Sequence, residues 1–292
     1  MLAYIPSPSR GVVKIGPATI HVYGACIALG VIAAVSLAAR RWKARGGNSE
    51  DITKIAIWAV PSGIVGARLY HVATDWKSYR GHWGDALTKI GNGGLGIWGG
   101  VALGTLVGVW VGRRRGVSLG PLMDVSAPAI PLAQAIGRWG NWWNQELFGR
   151  PTKLPWAVKI DPSHRPTGYS ASSTVHPTFL YESLWNLVVV AVLLAVERRF
   201  RLRPGRLFAL YVVLYTFGRF FIERVRIDSA SHVGGLRINE IVSAVVFAGA
   251  LMVLLWPTRT PRLTPSTRST PPPPTPTQMP DEAPQAVANP DQ

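Results

Sequence analysis

Long apolar runs, separated by short polar stretches, dominate the chain. Seven of them approach the roughly 20 residues needed to cross a bilayer as a helix. They lie near 17–39, 54–72, 93–111, 119–137, 177–196, 207–224 and 238–256. The second contains Pro61 and the fourth Pro128 and Pro131. Such prolines are tolerated in a membrane where neighbouring helices re-satisfy the freed backbone groups. The pattern predicts an all-α polytopic membrane protein over residues 1–256. Residues 257–292 are rich in Pro, Thr and Ser, with PPPP at 271–274. They hold too little apolar surface to bury a core and are expected to form a disordered tail. No internal repeat is evident, which counts against an inverted-repeat transporter.

The charges add direction to these spans. Arg40, Arg41, Lys43 and Arg45 follow the first run. Arg113, Arg114 and Arg115 follow the third, and Arg198, Arg199, Arg201, Arg203 and Arg206 follow the fifth. The alternate loops have fewer basic residues, mixed with Asp75, Asp85, Asp161 and Asp228. The positive-inside rule then predicts seven spans with the N-terminus outside and the C-terminus cytoplasmic. No compact basic region precedes the first run, so no cleavable signal peptide is expected. The net charge of +16 is therefore mostly a topology signal, with some affinity for anionic lipid. No nucleic-acid module accompanies it, and nucleic acid is not an expected partner. One cysteine, Cys26, excludes an intrachain disulfide or a cysteine metal cluster. The histidines are scattered without a metal-binding pair on one helix, so no metal site is expected.

With this orientation, the polar residues of six spans gather in the outer half of the bilayer. The densest stretch is GRWGNWWNQELFGR, residues 137–150. Tryptophans at a span end can form an interfacial belt and arginines there can snorkel. A belt does not require amides, however, and buried amides need partners. If the helix continues through this stretch, Arg138, Asn141 and Gln145 share one face. Within spans, Glu182, Arg219 and Glu223 are candidates because ionisable groups there are expensive. Arg219 and Glu223 are four apart and can pair, with Arg226 a turn further. That pair can equally be a structural lock between helices. His176 precedes Pro177 and can simply begin a helix; His21 and His71 can be packing residues. The glycines of 91–100 allow close helix packing and also close backbone approach to a ligand. The longest outer segment, about 138–176, is expected to face substrate. The residues alone thus predict an arginine, amide and carboxylate site opening to the outer leaflet, suited to an anionic phospholipid head group.

Residues 137–149, GRWGNWWNQELFG, resemble the signature GRxGNxxNxExxG of the prolipoprotein diacylglyceryl transferase family. HVYG at 21–24, GGLGIWGG at 93–100, HPTFLYE at 176–182 and YTFGRFFIE at 215–223 add to the resemblance. It covers roughly residues 15–256. It implies a seven-helix enzyme of the bacterial cytoplasmic membrane with its active site toward the outer leaflet. Its members transfer the sn-1,2-diacylglyceryl group of phosphatidylglycerol to the lipobox cysteine of a prolipoprotein signal peptide. The products are a thioether and glycerol phosphate, and no cofactor is implied. By the same resemblance, Arg138, Arg219, Tyr23, His176 and Glu223 are catalytic candidates. Arg138, Asn141, Asn144, Glu146, Gly149 and Arg219 would hold phosphatidylglycerol, with Glu223 holding Arg219 and Gly149 allowing a tight turn. One departure stands out: where well-known members carry a third-span histidine proposed as the base, the aligned residue is Trp98. His176, a carboxylate, or the arginine field acting on the thiol would then supply the activation, and the arginine field is favoured. Two rival readings are an anionic-lipid transporter or flippase and an inactive paralogue serving as an envelope scaffold. The one-sided polar cluster disfavours the transporter. A scaffold would tolerate Asn141→Ala with Arg219→Ala.

Overall fold

A computed structural model describes residues 4–16, 18–81, 84, 94–165, 174–227 and 232–256. The expectations for the tail at 257–292, for Asp85 and Asp228 and for residues 91–93 lie outside the described residues.

The apolar runs form helices α1 (Val22–Ala44), α2 (Ser49–Thr74), α3 (Ile97–Arg114), α4 (Leu119–Ser126), α5 (Ala129–Trp143), α6 (Thr178–Arg199), α7 (Arg206–Val225) and α8 (Ile238–Leu255). Local chemistry sets their ends. Asn48 accepts the Glu50 amide at 3.0 Å to cap α2, with Glu50 and Asp51 in the first turn. The Asp124 carboxylate accepts the Gly205 and Phe208 amides at 2.8 and 3.1 Å, capping α7 from another helix. Basic residues close α1, α3 and α6, where the helix dipole favours cations.

Helices α1, α2, α6 and α8 are each long and apolar enough to cross a membrane. Large apolar side chains face outward, among them Leu29, Ile32, Trp58, Leu106, Val245 and Met252. Buried polar groups include Glu182, Asn186, Glu223 and Glu240. Apolar outside and polar inside is the arrangement of a helical membrane protein.

The fourth predicted segment is not continuous: it breaks at Ala127 and Pro128 into α4 and α5. Pro128 has no N–H to offer the carbonyl four residues back. The freed carbonyls of Asp124 and Val125 instead accept Arg41 Nη1 at 2.9 and 2.5 Å. The same guanidinium meets Glu197 at 2.6 Å, and Arg45 meets Glu197 at 2.5 Å. The basic residues after the first run therefore hold helices together. They close the end of the bundle opposite the signature residues, beside a cavity of about 510 Å³ lined by Trp42, Pro121 and Leu207.

Among the described glycines, Gly66 and Gly99 serve packing. A Cβ on Gly66 would come within 2.4 Å of the Gly99 carbonyl, and one on Gly99 within 2.2 Å of the Gly66 carbonyl. Helices α2 and α3 thus meet backbone to backbone. Helix α1 lies on α5 in the same way, Gly30 against Ala133 and Gly140 against Tyr23.

At the signature end, short strands cover the bundle. Strands β1 (Ile5–Pro6), β4 (Val158–Lys159) and β5 (Thr174–Val175) form one sheet in the order β1-β4-β5. Its β1–β4 pair is parallel and its β4–β5 pair antiparallel. Strands β2 (Val12–Ile15) and β3 (Ala18–His21) form a hairpin leading into α1. Strands β6 (His232–Val233) and β7 (Leu236–Arg237) form another leading into α8. Phe148, Val158, Ile160, Val175 and Phe179 pack together beneath the sheet. This cap ties the stretch after α5 to the first turn of α6.

Candidate active site

Helices α5, α6 and α7 each deliver a charged side chain to one point. Glu182, one turn into α6 and 4% exposed, sits at the centre. One of its carboxylate oxygens meets Arg138 Nη2 of α5 at 2.6 Å, and the other meets Arg219 Nη1 of α7 at 3.1 Å. Arg226 Nη1 approaches it to 3.8 Å. Glu223, fully buried on α7, meets Arg219 Nη2 at 2.7 Å. The predicted pair exists, and Arg226 follows at 3.9 Å. Among the described residues of this cluster, the guanidiniums of Arg138, Arg219, Arg226 and Arg237 surround the two carboxylates of Glu182 and Glu223. Arg138 and Arg219 keep 21% and 16% of their side chains exposed, so both are reachable from outside the bundle.

The amides extend this cluster to α1. Arg138 Nη1 donates to Asn141 Oδ1 at 3.3 Å, and Asn141 Nδ2 donates to Glu146 Oε1 at 2.7 Å. Tyr23, the second residue of α1, packs against Gly140 of α5, close to Asn141, Glu146 and Arg138. Arg138, Asn141, Glu146, Glu182, Arg219 and Glu223 are thus one connected group, and Tyr23 borders it.

Two expectations need correction. The row Arg138, Asn141, Gln145 does not hold, because α5 ends at Trp143 and Gln145 has φ 51°. Left-handed backbone turns its side chain away from the helix face. The Gln145 amide instead clamps the cap: Nε2 donates to the Pro8 carbonyl at 2.8 Å and to Asp161 at 2.7 Å, and Oε1 accepts the Asp161 amide at 2.7 Å. Asn144 is the residue closing α5, and its Oδ1 lies beside Gly11, where a Cβ would come within 3.1 Å. Gly149 is not the turn: the left-handed residues are Gln145 and Leu147. Gly149 pairs with Arg226 across a β-bridge, and a Cβ there would lie 2.8 Å from His176 and 2.9 Å from Val225. It is a glycine of close approach, joining the ends of α6 and α7.

His176 stands beside the cluster. Its ring Nδ1 is 3.0 Å from the Tyr181 hydroxyl, which also accepts Trp156 Nε1 at 3.0 Å. Indole only donates, so the simplest assignment sends the tyrosine proton to Nδ1 and leaves the imidazole proton on Nε2. Burial pushes the imidazole pKa below its usual range, which favours the neutral ring. Among the described residues it makes no ion pair or hydrogen bond with Arg138 or Arg219. Trp98 is the second residue of α3 and is 56% exposed.

Sequence reasoning noted Glu182 only as an ionisable residue in a span and missed Arg237, Asn239 and Glu240. Arg237 Nε lies 3.1 Å from Glu223 Oε1, and Asn239 Nδ2 donates to the same oxygen at 3.1 Å. The available signal was Glu three residues after Arg237 at the head of the last apolar run, a helix-start pattern.

Comparisons with known proteins point to one family. The family model described as prolipoprotein diacylglyceryl transferase matches residues 10–256. A phosphatidylglycerol–prolipoprotein diacylglyceryl transferase of Frankia alni is 56% identical over 258 residues, covering 87% of this chain and 68% of the relative. The second such transferase of Streptomyces coelicolor is 54% identical over 257 residues, covering 87% and 81%. That of Cutibacterium acnes is 52% identical over 255 residues, covering 86% of each. With Arg138, Asn141 and Glu146 of the signature in one network and the match spanning nearly all of the helical part, the chain belongs to the prolipoprotein diacylglyceryl transferase family.

Proposed function

We propose that this protein transfers the sn-1,2-diacylglyceryl group of phosphatidylglycerol to the lipobox cysteine of prolipoprotein signal peptides. The observation that carries this reading beyond family membership is the sharing of Glu182 by Arg138 and Arg219. It places two guanidiniums from separate helices beside one another with part of each exposed. In the reaction the cysteine sulfur, as thiolate, attacks the glyceryl carbon bonded to the phosphate oxygen. A C–S bond forms, the C–O bond breaks, and its electron pair leaves with glycerol phosphate. The thiol proton passes to water or to the released phosphate. Charge gathers on the leaving phosphate, and Arg138 and Arg219 stabilise it through charge-assisted hydrogen bonds. Asn141 and Glu146 orient Arg138, and Tyr23 orients Asn141. Glu182 and Glu223 keep the guanidiniums apart and aimed.

The chain crosses the bilayer seven times in this reading, with α4 and α5 together making one broken span. The N-terminus is outside, the C-terminus cytoplasmic and the site toward the outer leaflet of the bacterial cytoplasmic membrane. The basic ends of α1, α3 and α6 support this sidedness. A free thiol titrates near ~8.5 and needs cationic surroundings or a base to react at neutral pH. The arginine field serves that purpose here, because the acceptor nitrogen of His176 is already engaged by Tyr181. His176→Ala is therefore expected to keep transfer within about tenfold of wild type, below the loss typical of removing a general base. Its pH–rate profile should still rise toward the thiol pKa. Complete loss of transfer in a folded His176→Ala protein would assign the base to the histidine.

The function itself is tested with purified protein, phosphatidylglycerol and a lipobox peptide, detecting the modified cysteine by mass. Thioether product supports the reading; lipid movement without product would replace it with transport.

A further inference from the structure

Glu223 is engaged from two sides, and the side away from Arg219 belongs to α8. Its Oε2 faces Arg219 Nη2 at 2.7 Å, while its Oε1 faces Arg237 Nε and Asn239 Nδ2, each at 3.1 Å. The Arg219 and Arg237 contacts are ion pairs by distance, without aligned N–H vectors at Glu223 Oε2 and Arg237 Nε. Their attraction is Coulombic and depends on how many cations share the carboxylate. Arg237 is itself held firmly. Its Nη1 donates to the Arg226 carbonyl at 2.8 Å, and its backbone N–H donates to Glu240 Oε2 at 3.0 Å at the start of α8. Glu240 Oε1 accepts Arg224 Nε at 3.0 Å. Arg237 and Glu240 are 8% and 5% exposed. A buried carboxylate draws the nearest cation toward itself when its other partners are removed.

We propose that the head of the last helix, Arg237 with Asn239 and Glu240, is a positioning device for the transfer reaction. It satisfies one oxygen of Glu223, so that Arg219 remains shared with Glu182 and presented to the departing phosphate instead of folding onto Glu223. Arg237 and Asn239 touch neither lipid nor thiol in this scheme and act through Glu223. The proposal rests on the phosphate role of Arg219 given above. It predicts that damage at this helix head appears in the chemical step, where charge on the phosphate is greatest, more than in substrate capture.

The experiment uses the full chain purified in phosphatidylglycerol-containing micelles with a lipobox peptide, measuring kcat and the KM for phosphatidylglycerol together with the thermal midpoint. Arg237→Gln is expected to lower kcat by about 10–100-fold with KM within about twofold, and Arg237→Lys to fall between it and wild type. Asn239, at an exposed position of the helix, gives the gentler variant. Asn239→Ala is expected to lower kcat by about 3–10-fold with the thermal midpoint unchanged. If Arg237→Gln does not fold, Asn239→Ala decides. A kcat within about twofold of wild type for Asn239→Ala, or an effect confined to KM, overturns the positioning role. So does an Arg237→Lys protein as impaired as Arg237→Gln. If the wild type itself forms no thioether, the functional reading fails and this proposal with it. An active wild type with indifferent variants removes this proposal alone.

Discussion

Arg138→Lys should lower diacylglyceryl transfer by about 10²–10³-fold, the range seen when one preorganised donor to a developing anion is lost. Arg138 uses its fork in two directions, Nη2 to Glu182 at 2.6 Å and Nη1 to Asn141 at 3.3 Å. A planar guanidinium makes these contacts and still offers an edge to a phosphate oxygen. A lysine ammonium keeps the charge but is a single point on a flexible stem. It can satisfy Glu182 or the phosphate, not the whole arrangement. The side chain is partly exposed, so membrane insertion and folding are expected to be normal. Initial rates of cysteine modification decide the matter. A rate near wild type would remove Arg138 from the phosphate.

The second large effect is expected at Glu182. Its carboxylate is almost fully buried and holds guanidiniums from two other helices. Glu182→Gln keeps the shape and deletes the charge, leaving Arg138, Arg219 and Arg226 facing one another across a desolvated space. Breaking a buried charge network in this way typically destabilises by about 3–5 kcal/mol. The thermal midpoint in detergent should therefore drop. Transfer should fall by roughly 10³-fold or more, since both phosphate-facing arginines lose their anchor at once. Glu182→Asp retains the charge on a shorter arm. It should recover more of the stability than of the rate, because the carboxylate no longer reaches both Arg138 and Arg219. A Glu182→Gln protein with wild-type rate and midpoint would mean that the three helices do not depend on this hub.

Much of this architecture can be read from local sequence, and the residues show where that stops. Helix-period relations survive: Arg219 with Glu223 at four residues, and Arg138 with Asn141 at three, both pair as spacing predicts. The apolar runs around 17–39, 54–72, 177–196 and 238–256 became helices fit to cross a membrane. The failures concern what another element supplies. Spacing alone cannot reveal that Glu182 faces α5 and α7, so an acid noted in passing turned out to be the hub. Gln145 left its expected face because the cap demanded left-handed backbone there. Pro128 was tolerated by breaking the helix, with Arg41 replacing the missing partner from 80 residues or more away in sequence. Strands β1, β4 and β5 are two residues each, too short to leave an alternating pattern. Arg237 and Glu240 lie at the head of an apolar run and were not singled out. Their role is visible only from Glu223.

The central claim is that Arg138 and Arg219 hold the glycerol phosphate as it departs. Product inhibition measures this without relying on the rate of the chemical step. Glycerol phosphate should inhibit the wild-type enzyme in competition with phosphatidylglycerol. Its inhibition constant should rise by about tenfold or more in Arg138→Lys and in Arg219→Lys, as expected when a bidentate phosphate contact is lost. If both variants lose transfer yet bind glycerol phosphate as tightly as the wild type, the converging guanidiniums do something other than receive the leaving group.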